Sequence, residues 1–225
     1  MTVIHATLEP LDWENQFFQI NSSLLRFDDS APVITENRLK AWSRVQAKIP
    51  AGRSDVLDSL QTLGFHFIEG DVDLSLAVSQ TPDNIMLDVA GPESIDILRA
   101  QAAGIFKQSR FRAPWYRPDD SGRFYGQWVE NAVQGRFDDQ CLVIRDGKDI
   151  RGFVTLRQLN AHEARIGLLA GPGLGKSLMS LAASWCQRRG LSTLRVATQV
   201  SNTAALRLYL QCGATINSTA FWLYR

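Results

Sequence analysis

The chain has 225 residues, a formal net charge of +1 at pH 7, 45% hydrophobic residues and 21% charged residues. This length allows one large domain or two small ones, and the near-zero charge gives no electrostatic reason to expect a nucleic-acid or membrane partner. No apolar run approaches the roughly 18 residues of a membrane span, and the N-terminus lacks a signal-peptide layout, so we expect neither a membrane span nor secretion.

The cysteine and histidine residues predict a reducing environment and no metal site. Cys141, Cys186 and Cys212 are odd in number, and neither they nor the three histidines have metal-ligand spacing. Unpaired thiols suit the cytoplasm better than an oxidising compartment. We therefore expect a cytoplasmic protein that binds no metal.

Residues 1–82 have the pattern of a small α/β domain. Strands are predicted at 17–27, 42–49 and 65–78, Thr35 is a candidate N-cap of a short helix, and Ser54 begins a helix that ends at Gly64. Residues 80–91 are rich in turn-forming residues, which is typical of a linker. We therefore predict a domain boundary between residues 82 and 83, with a second domain at 83–225.

One segment of this first domain has the layout of a segment near the C-terminus. Residues 45–65 and 196–214 both read as a strand, a helix and a glycine. Aligning Gly64 with Gly213 places Leu60 where Tyr209 stands and Arg53 where Asn202 stands. We interpret the first domain as a partial repeat of the second without its chemistry, while coincidence stays open because such layouts are common.

An arginine and aromatic segment occupies residues 109–128, after a helix that begins at Pro92-Glu93. Arginine can fork onto phosphate, and aromatic faces can stack on a base or a sugar. The candidate substrate-binding residues are Arg110, Arg112, Trp115 and Tyr116. The alternative is that Phe124, Trp128 and Val129 are the buried face of a helix at 120–134, with the arginines in solvent. The same mixture occurs in proteins that bind single-stranded nucleic acid, but a nearly neutral chain gives that little support.

The rest of the chain reads as a hairpin followed by alternating strands and helices. The hairpin joins 140–145 to 150–156 across Asp146-Gly147-Lys148-Asp149. A strand at 163–170 then leads through the glycine turn 171–175 into a helix, a strand at 193–199, and a helix opened by Ser201-Asn202. Unpaired N–H groups and the helix dipole make such a turn a site for phosphate, and its glycines would let a phosphate approach without meeting a Cβ.

Two kinds of ligand fit that turn. Residues 170–177, AGPGLGKS, match a loosened Walker A pattern with Ala170 in place of the first glycine, which would indicate a nucleotide-binding module. Only 48 residues follow Ser177, and they include no apolar strand that ends in an aspartate for magnesium. The context therefore argues against a P-loop.

The second ligand follows from a resemblance to the GNAT superfamily of N-acetyltransferases. Its signature is Q/R-x-x-G-x-G/A after a strand and then N-x-x-A-x-x-x-Y-x-x-x-G. Here the first element is Ala170-Gly171-Pro172-Gly173-Leu174-Gly175, with Ala170 as a departure, and the second runs from Asn202 to Gly213. The resemblance implies a mixed α/β GNAT fold with a central mixed sheet, preceded by the smaller α/β domain as a partial GNAT-like repeat. It also implies acetyl-CoA as co-substrate.

The resemblance also implies roles for individual residues in direct transfer within a ternary complex. Tyr209 would be the general acid that protonates the departing thiolate, because a phenol stays protonated at neutral pH. The alternative for Tyr209 is packing of its helix on the sheet. The cofactor would be held by Leu168, Leu169, Ala170, Gly171, Pro172, Gly173, Leu174, Gly175, Lys176, Asn202, Arg207 and Tyr209.

A base for the acceptor amine is a further expectation. Glu69, Asp71 and Asp73 alternate along a predicted strand and therefore share one face. Glu69 would take the proton from the ammonium directly or through water. The alternatives are an exposed polar strand face, and an amine that loses its proton to solvent so that no base is needed.

The chain is closest, within the superfamily, to acetyltransferases that act on nucleotide sugars. The stretches PLDWENQFF, SRFRAPWY, RVATQ and WLYR carry that similarity. It implies acetylation of the 4-amino group of a dTDP-4-amino-4,6-dideoxy-galactose, as in enterobacterial common antigen synthesis, by a homodimer. An acetyltransferase of a protein N-terminus or of another small amine stays open.

Overall fold

The computed structural model of the chain describes residues 2–79, 85–106 and 109–225. The strands are β1 (Ala6–Pro10), β2 (Ser22–Phe27), β3 (Arg44–Pro50), β4 (His66–Ala77), β5 (Gln140–Asp146), β6 (Asp149–Gln158), β7 (Glu163–Ala170), β8 (Thr193–Gln199) and β9 (Thr215–Tyr224). The helices are α1 (Asp12–Phe18), α2 (Glu36–Leu39), α3 (Ser54–Thr62), α4 (Ile95–Ile105), α5 (Asp120–Val133), α6 (Gly175–Gln187) and α7 (Thr203–Gln211), and a 3₁₀ turn at Pro92–Ser94 precedes α4. Among the helices in these ranges, none combines the length and apolarity needed to cross a bilayer.

The described residues form two units, each with its own internal contacts. Unit 1 comprises the described residues up to Val72 together with Gln199–Ser201 and Ser218–Arg225. Unit 2 comprises Asp73–Thr198 and Asn202–Asn217. The boundary predicted between residues 82 and 83 lies outside the described residues and stays a prediction.

Unit 1 contains a mixed sheet in the order β1-β2-β3-β9-β4. β2 and β3 are parallel, whereas β1–β2 and β3–β9 are antiparallel. Alternate residues of β3, namely Val45, Ala47 and Ile49, are buried on the side that receives Val56 and Leu60 of α3. This arrangement follows from the two periodicities, because alternate residues of a strand point to the same face of the sheet and residues four apart lie on one face of a helix.

The strand predicted at 17–27 begins too early. Residues 17 and 18 end α1, and Gln19 has a left-handed backbone with φ of 56°. Asn15 fixes this reversal, because its side chain accepts from the Ser22 N–H at 2.7 Å and donates to the Ser22 carbonyl at 2.9 Å. The local side-chain bonds therefore favour a helix followed by a turn over a long strand.

Unit 2 contains a sheet in the order β4-β8-β7-β6-β5. β5, β6 and β7 form an antiparallel meander. β7 and β8 are parallel neighbours, and α6 is the helix that connects them along the chain. The predicted hairpin, the strands at 163–170 and 193–199, and the helix at 120–134 are confirmed. Trp185 of α6 is fully buried in the core and donates its indole N–H to Gln140 at 2.7 Å.

The common strand, helix and glycine layout of the two segments is confirmed. β3 and β8 each have seven residues, α3 and α7 each have nine, and Gly64 and Gly213 follow these helices with φ of 85° and 90°. Leu60 is fully buried at the position that corresponds to Tyr209, which is 5% exposed. Unit 1 therefore keeps the scaffold of the segment but has an apolar side chain in place of the phenol.

We predict that Leu60→Ala lowers the free energy of unfolding by about 2–5 kcal/mol, because it removes a fully buried side chain from the unit 1 core. Gln61→Ala is the control on the same helix, since Gln61 is exposed, and it should change stability by less than about 0.5 kcal/mol. Urea unfolding followed by circular dichroism checks both values. Equal effects of the two substitutions would contradict the assigned core.

Candidate functional site

The parallel pairing between β7 and β8 ends halfway along both strands. Within the described residues, the register runs from Glu163 opposite Thr193 to Ile166 opposite Val196. β7 nevertheless continues to Ala170, still paired with β6, and β8 continues to Gln199. The two strands therefore separate beyond Ile166 and Val196, which leaves an opening on the β8 side of residues 167–170.

The backbone of Leu169 faces this opening. The neighbouring Leu168 donates its N–H at 2.8 Å to the side chain of Thr155 on β6. Because the backbone polar groups of successive strand residues point to opposite edges, those of Leu169 point away from β6. An extended ligand with amide groups could bind there as an additional strand does.

The turn after β7 presents the N-terminus of α6. The Leu174 N–H donates to the Gly171 carbonyl at 3.0 Å, Pro172 occupies the second position, and Gly173 has φ of 74°. These features identify a type II β-turn. The N-cap residue, Leu174, makes no side-chain hydrogen bond, and the first turn of α6 contains no acidic residue. The first N–H groups of α6 are therefore oriented to bind an anion.

The glycines of this turn differ from the expectation that all three make room for phosphate. A Cβ on Gly171 would lie 3.0 Å from the Cα of Gly152, so only a residue without a side chain fits easily where the turn passes β6. A Cβ on Gly175 would meet the side chain of Leu208 on α7 at 2.6 Å. At Gly173 a Cβ would meet no atom within 4 Å, and the positive φ alone favours glycine. Two of the three glycines therefore serve packing within unit 2.

Two exposed cations belong to the segments that meet at the α6 N-terminus. Lys176 is in the first turn of α6, and Arg207 precedes Leu208, the residue that packs against Gly175. Together with the helix dipole, these cations favour an anionic ligand at the turn. Both belong to the predicted cofactor-binding set.

Asn202 caps α7 with its side chain, which refines its predicted role. Its Oδ1 accepts the Ala205 N–H at 3.2 Å, as an N-cap residue does. The predicted contact with the cofactor would therefore involve chiefly the Nδ2 group, which the cap does not use. The cap also fixes the start of the helix that carries Tyr209.

Tyr209 lies in a desolvated part of unit 2. Burial, together with the nearby Cys212, raises the pKa of the Tyr209 phenol to about 12. Burial also raises the pKa of the Cys141 and Cys186 thiols in the same unit to about 12. Desolvation therefore keeps the phenol and both thiols in their neutral forms at neutral pH.

The alternation of the predicted acidic residues along β4 is confirmed. Glu69, Asp71 and Asp73 are half-buried, and the residues between them are buried. Asp71 forms an ion pair with Lys48 at 2.6 Å in unit 1, and Asp73 forms one with Arg195 at 3.3 Å in unit 2. Glu69 belongs to unit 1, and its role as a base stays a prediction.

The aromatic members of the 109–128 segment pack largely against one another. Tyr116 is 6% exposed and contacts Phe111 edge-to-face, with ring centroids 5.3 Å apart. The Arg110 guanidinium lies 4.2 Å from the centroid of Phe111, while Arg112 is exposed and Trp115 is half-buried. Phe124 and Val129 are buried on α5, as the packing alternative predicts. Substrate binding by Arg110, Arg112, Trp115 and Tyr116 stays a prediction.

Three residues near the opening carry no signal in the sequence. Gly152 and Thr155 lie inside β6, and Asp138 lies in the loop that precedes β5. The described residues contain no group of three or more potential metal ligands. Only the three-dimensional pairing of β6 with β7 brings Thr155 against the Leu168 N–H and Gly152 against Gly171, on the side of β7 opposite the opening.

Comparisons with known proteins agree with this architecture. Residues 105–214 match the acetyltransferase (GNAT) family. Over 223 residues the chain is 56% identical to a dTDP-fucosamine acetyltransferase of Escherichia coli O6:H1 strain CFT073, with 99% of each chain covered. A streptothricin acetyltransferase of Escherichia coli is 27% identical over 122 residues, which are 52% of this chain and 63% of that protein. A GCN5-related N-acetyltransferase from Sphaerobacter thermophilus has the same fold, with a TM-score of 0.64, 15% identity, and coverage of 98% of this chain and 76% of that chain.

We predict that Asn202→Ala lowers the free energy of unfolding by about 1 kcal/mol, because the Ala205 N–H loses its acceptor. Asn202→Asp keeps a capping oxygen and should be nearly neutral. Thermal unfolding of the two variants beside the unmodified protein checks the difference. Equal loss in both variants would show that the cap is not what Asn202 contributes.

Proposed function

The chain belongs to the GNAT family of acetyltransferases, and from this premise we propose that it transfers the acetyl group of acetyl-CoA to the amino group of dTDP-fucosamine. The observation that carries the proposal is the relative of that name, which is 56% identical along nearly the whole of both chains. The segment that also fits a Walker A pattern lies inside the matched acetyltransferase region. The turn at 171–175 is therefore assigned to acetyl-CoA in preference to ATP.

The opening of unit 2 suits the parts of acetyl-CoA. The pyrophosphate would bind the N–H groups at the start of α6, beside Lys176 and Arg207. The pantetheine arm would lie along β7, with its amide groups paired to the backbone of Leu169. The Nδ2 of Asn202 would donate to the same arm, since its Oδ1 is engaged in the cap.

The proposed reaction is direct attack of the acceptor amine on the thioester carbonyl. The C–N bond forms as the C–S bond breaks, the departing sulfur takes the phenol proton of Tyr209, and the attacking nitrogen releases its surplus proton, which restores the phenol. Burial raises the pKa of the Tyr209 phenol to about 12, so the phenol stays protonated at neutral pH and has a proton to give to the departing sulfur.

The acceptor we propose is dTDP-4-amino-4,6-dideoxy-galactose, acetylated at its 4-amino group for enterobacterial common antigen synthesis. The arginines Arg110 and Arg112 suit its diphosphate, and the half-buried Trp115 suits its base or sugar, whereas the ring of Tyr116 is buried against Phe111 and would contribute through its edge or hydroxyl. Glu69 would receive the proton of the ammonium group. The three free cysteines suit the cytoplasm, which we propose as the location.

We also propose a homodimer. In unit 1, Ala220–Tyr224 of β9 pair with β3, so that edge of β9 is not available to a second subunit. The edge strand of that sheet is β1, which pairs only with β2 among the described strands. Light scattering on the purified protein tests the subunit number.

A second candidate is an acetyltransferase of another small amine, such as an antibiotic amine, and the partial similarity to streptothricin acetyltransferase favours it. Acetylation of a protein N-terminus is a further version of this candidate. The first experiment offers acetyl-CoA with dTDP-fucosamine, streptothricin or a peptide amine, and detects the product by mass spectrometry. If dTDP-fucosamine is the one amine that is acetylated, the proposal is supported. If another amine is acetylated and dTDP-fucosamine is not, that amine replaces dTDP-fucosamine as the proposed acceptor. Binding of ATP with magnesium, and not of acetyl-CoA, would overturn it.

We predict that Tyr209→Phe lowers kcat by about 10²- to 10⁴-fold and leaves the Kd for acetyl-CoA nearly unchanged, because only the transferable proton is lost. Steady-state kinetics and calorimetry measure the two quantities. Leu210→Ala is the control on the same helix, because Leu210 is 48% exposed. A variant Tyr209→Phe with normal kcat would restrict Tyr209 to packing.

The pH dependence supplies a separate prediction. Because the pKa of Tyr209 is raised to about 12, its proton is present through the neutral and alkaline range. We therefore expect kcat/KM to rise with pH as the acceptor amine loses its proton. At pH values below about 10, loss of the Tyr209 proton should cause no decrease in kcat/KM. A decrease in kcat/KM near neutral pH that is absent from Tyr209→Phe would contradict the raised pKa.

An unchanged pH profile for Glu69→Gln would remove Glu69 from the mechanism.

A further inference from the structure

We propose that Asp138 and Thr155 are positioning residues that hold β7 apart from β8 and so align the acetyl thioester. The inference rests on the proposed binding of acetyl-CoA in this opening. It adds two residues that contact neither the cofactor nor the acceptor in the proposed arrangement. All the contacts that carry it lie inside unit 2.

Asp138 is fully buried, and one of its two carboxylate oxygens accepts two hydrogen bonds while the other accepts none from the described residues. Its Oδ2 accepts the indole N–H of Trp128 at 2.8 Å and the hydroxyl of Thr155 at 2.6 Å. Its Oδ1 is buried and has no hydrogen-bond partner among the described residues. A buried polar oxygen left in this state costs free energy, so stability alone does not account for a carboxylate here.

Two hydrogen bonds, from the Leu168 N–H to Thr155 and from the Thr155 hydroxyl to Asp138, form a short chain that we call the relay. A hydroxyl has one proton, and Thr155 gives it to Asp138, so the lone pairs of Oγ1 face away from the carboxylate. Oγ1 accepts the N–H of Leu168 at 2.8 Å. Asp138 thereby sets which way the hydroxyl points and strengthens its hold on the β7 backbone.

This relay coincides with a bulge between β6 and β7. The register passes from Val154 opposite Leu169 to Leu156 opposite Ile166, so the single residue Thr155 faces two residues of β7. A bulge of this kind bends the strand and increases its twist. It lies directly beyond Ile166, the last β7 residue paired with β8, and therefore at the point where the two strands separate.

Gly167 shows how closely the carboxylate approaches β7. A Cβ at this position would lie 2.1 Å from Oδ2 of Asp138 and 2.7 Å from Oγ1 of Thr155. The absence of a side chain at Gly167 therefore leaves the space that the Thr155 hydroxyl and the Asp138 carboxylate occupy beside β7. Without the relay, the Leu168 N–H would lack its acceptor, and residues 167–170 could move towards β8 and narrow the opening.

The test compares Thr155→Val with Thr155→Ser. Valine keeps the size of threonine but removes the acceptor of the Leu168 N–H, whereas serine keeps the hydroxyl. We expect Thr155→Val to raise the Kd for acetyl-CoA about tenfold, as for loss of one buried hydrogen bond, and to speed hydrogen exchange of the Leu168 amide. Thr155→Ser should restore both quantities to near the values of the unmodified protein.

Asp138→Asn extends the test, since an amide oxygen can accept the same two hydrogen bonds without the charge. It should raise the Kd for acetyl-CoA less than Thr155→Val does. Asp139→Asn is the matched control, because Asp139 accepts only the Gln158 N–H at the far end of β6 and should leave the Kd unchanged. All assays are run well below the melting temperature of each variant, which is measured separately.

The outcomes separate this inference from the proposed function. If the unmodified protein fails to bind acetyl-CoA, the proposed function fails and takes the inference with it. If it binds acetyl-CoA and Thr155→Val binds equally well with unaltered kcat, the proposed function stands and the positioning role is overturned. A lower melting temperature in Thr155→Val with unchanged Kd and kcat would also overturn it, because the relay would then serve stability alone.

Discussion

The site depends on the interruption of the pairing between β7 and β8 beyond Ile166 and Val196. A parallel sheet normally satisfies its backbone groups with neighbouring strands, so separated strands leave polar groups that require another partner. In unit 2 that partner is proposed to be the pantetheine arm. The turn after β7 then brings the N-terminus of α6 to the end of the same path, where the phosphates of acetyl-CoA would bind.

Burial sets the protonation state of the proposed acid. A phenol in water has a reference pKa of about 10. Burial in unit 2 raises the pKa of Tyr209 to about 12. The proton that the proposal assigns to the departing sulfur is therefore held by Tyr209 throughout the neutral pH range.

The sequence predicted the elements that depend on local pattern. The strand at 163–170, the strand at 193–199 and the helix that carries Tyr209 follow from periodicity and from the spacing of Asn202, Tyr209 and Gly213. The last two residues of α1, Phe17 and Phe18, were predicted as the start of a strand, and phenylalanine does favour β structure, whereas the hydrogen bonds between Asn15 and Ser22 favour a turn. The GNAT membership followed from the two motifs together.

The contacts that shape the opening are not predictable from local pattern. Gly171 and Gly175 looked like space for phosphate, but their neighbours are Gly152 and Leu208, which are distant in sequence. The relay from Asp138 through Thr155 likewise depends on the register of β6 against β7. Burial and register are long-range properties, so these residues have ordinary sequence surroundings although they border the site.

The most direct test of the central claim is a titration with CoA, observed through the backbone amide signals of the ¹⁵N-labelled protein. CoA bound in the opening should shift the amides of Leu169, Gly173 and Lys176, because those groups line the proposed path. The amides of α3 in unit 1 should stay unchanged, since Leu60 and its neighbours form a filled core. Shifts confined to unit 1, or no shift at saturating CoA, would contradict the assignment of the opening between β7 and β8 as the cofactor site.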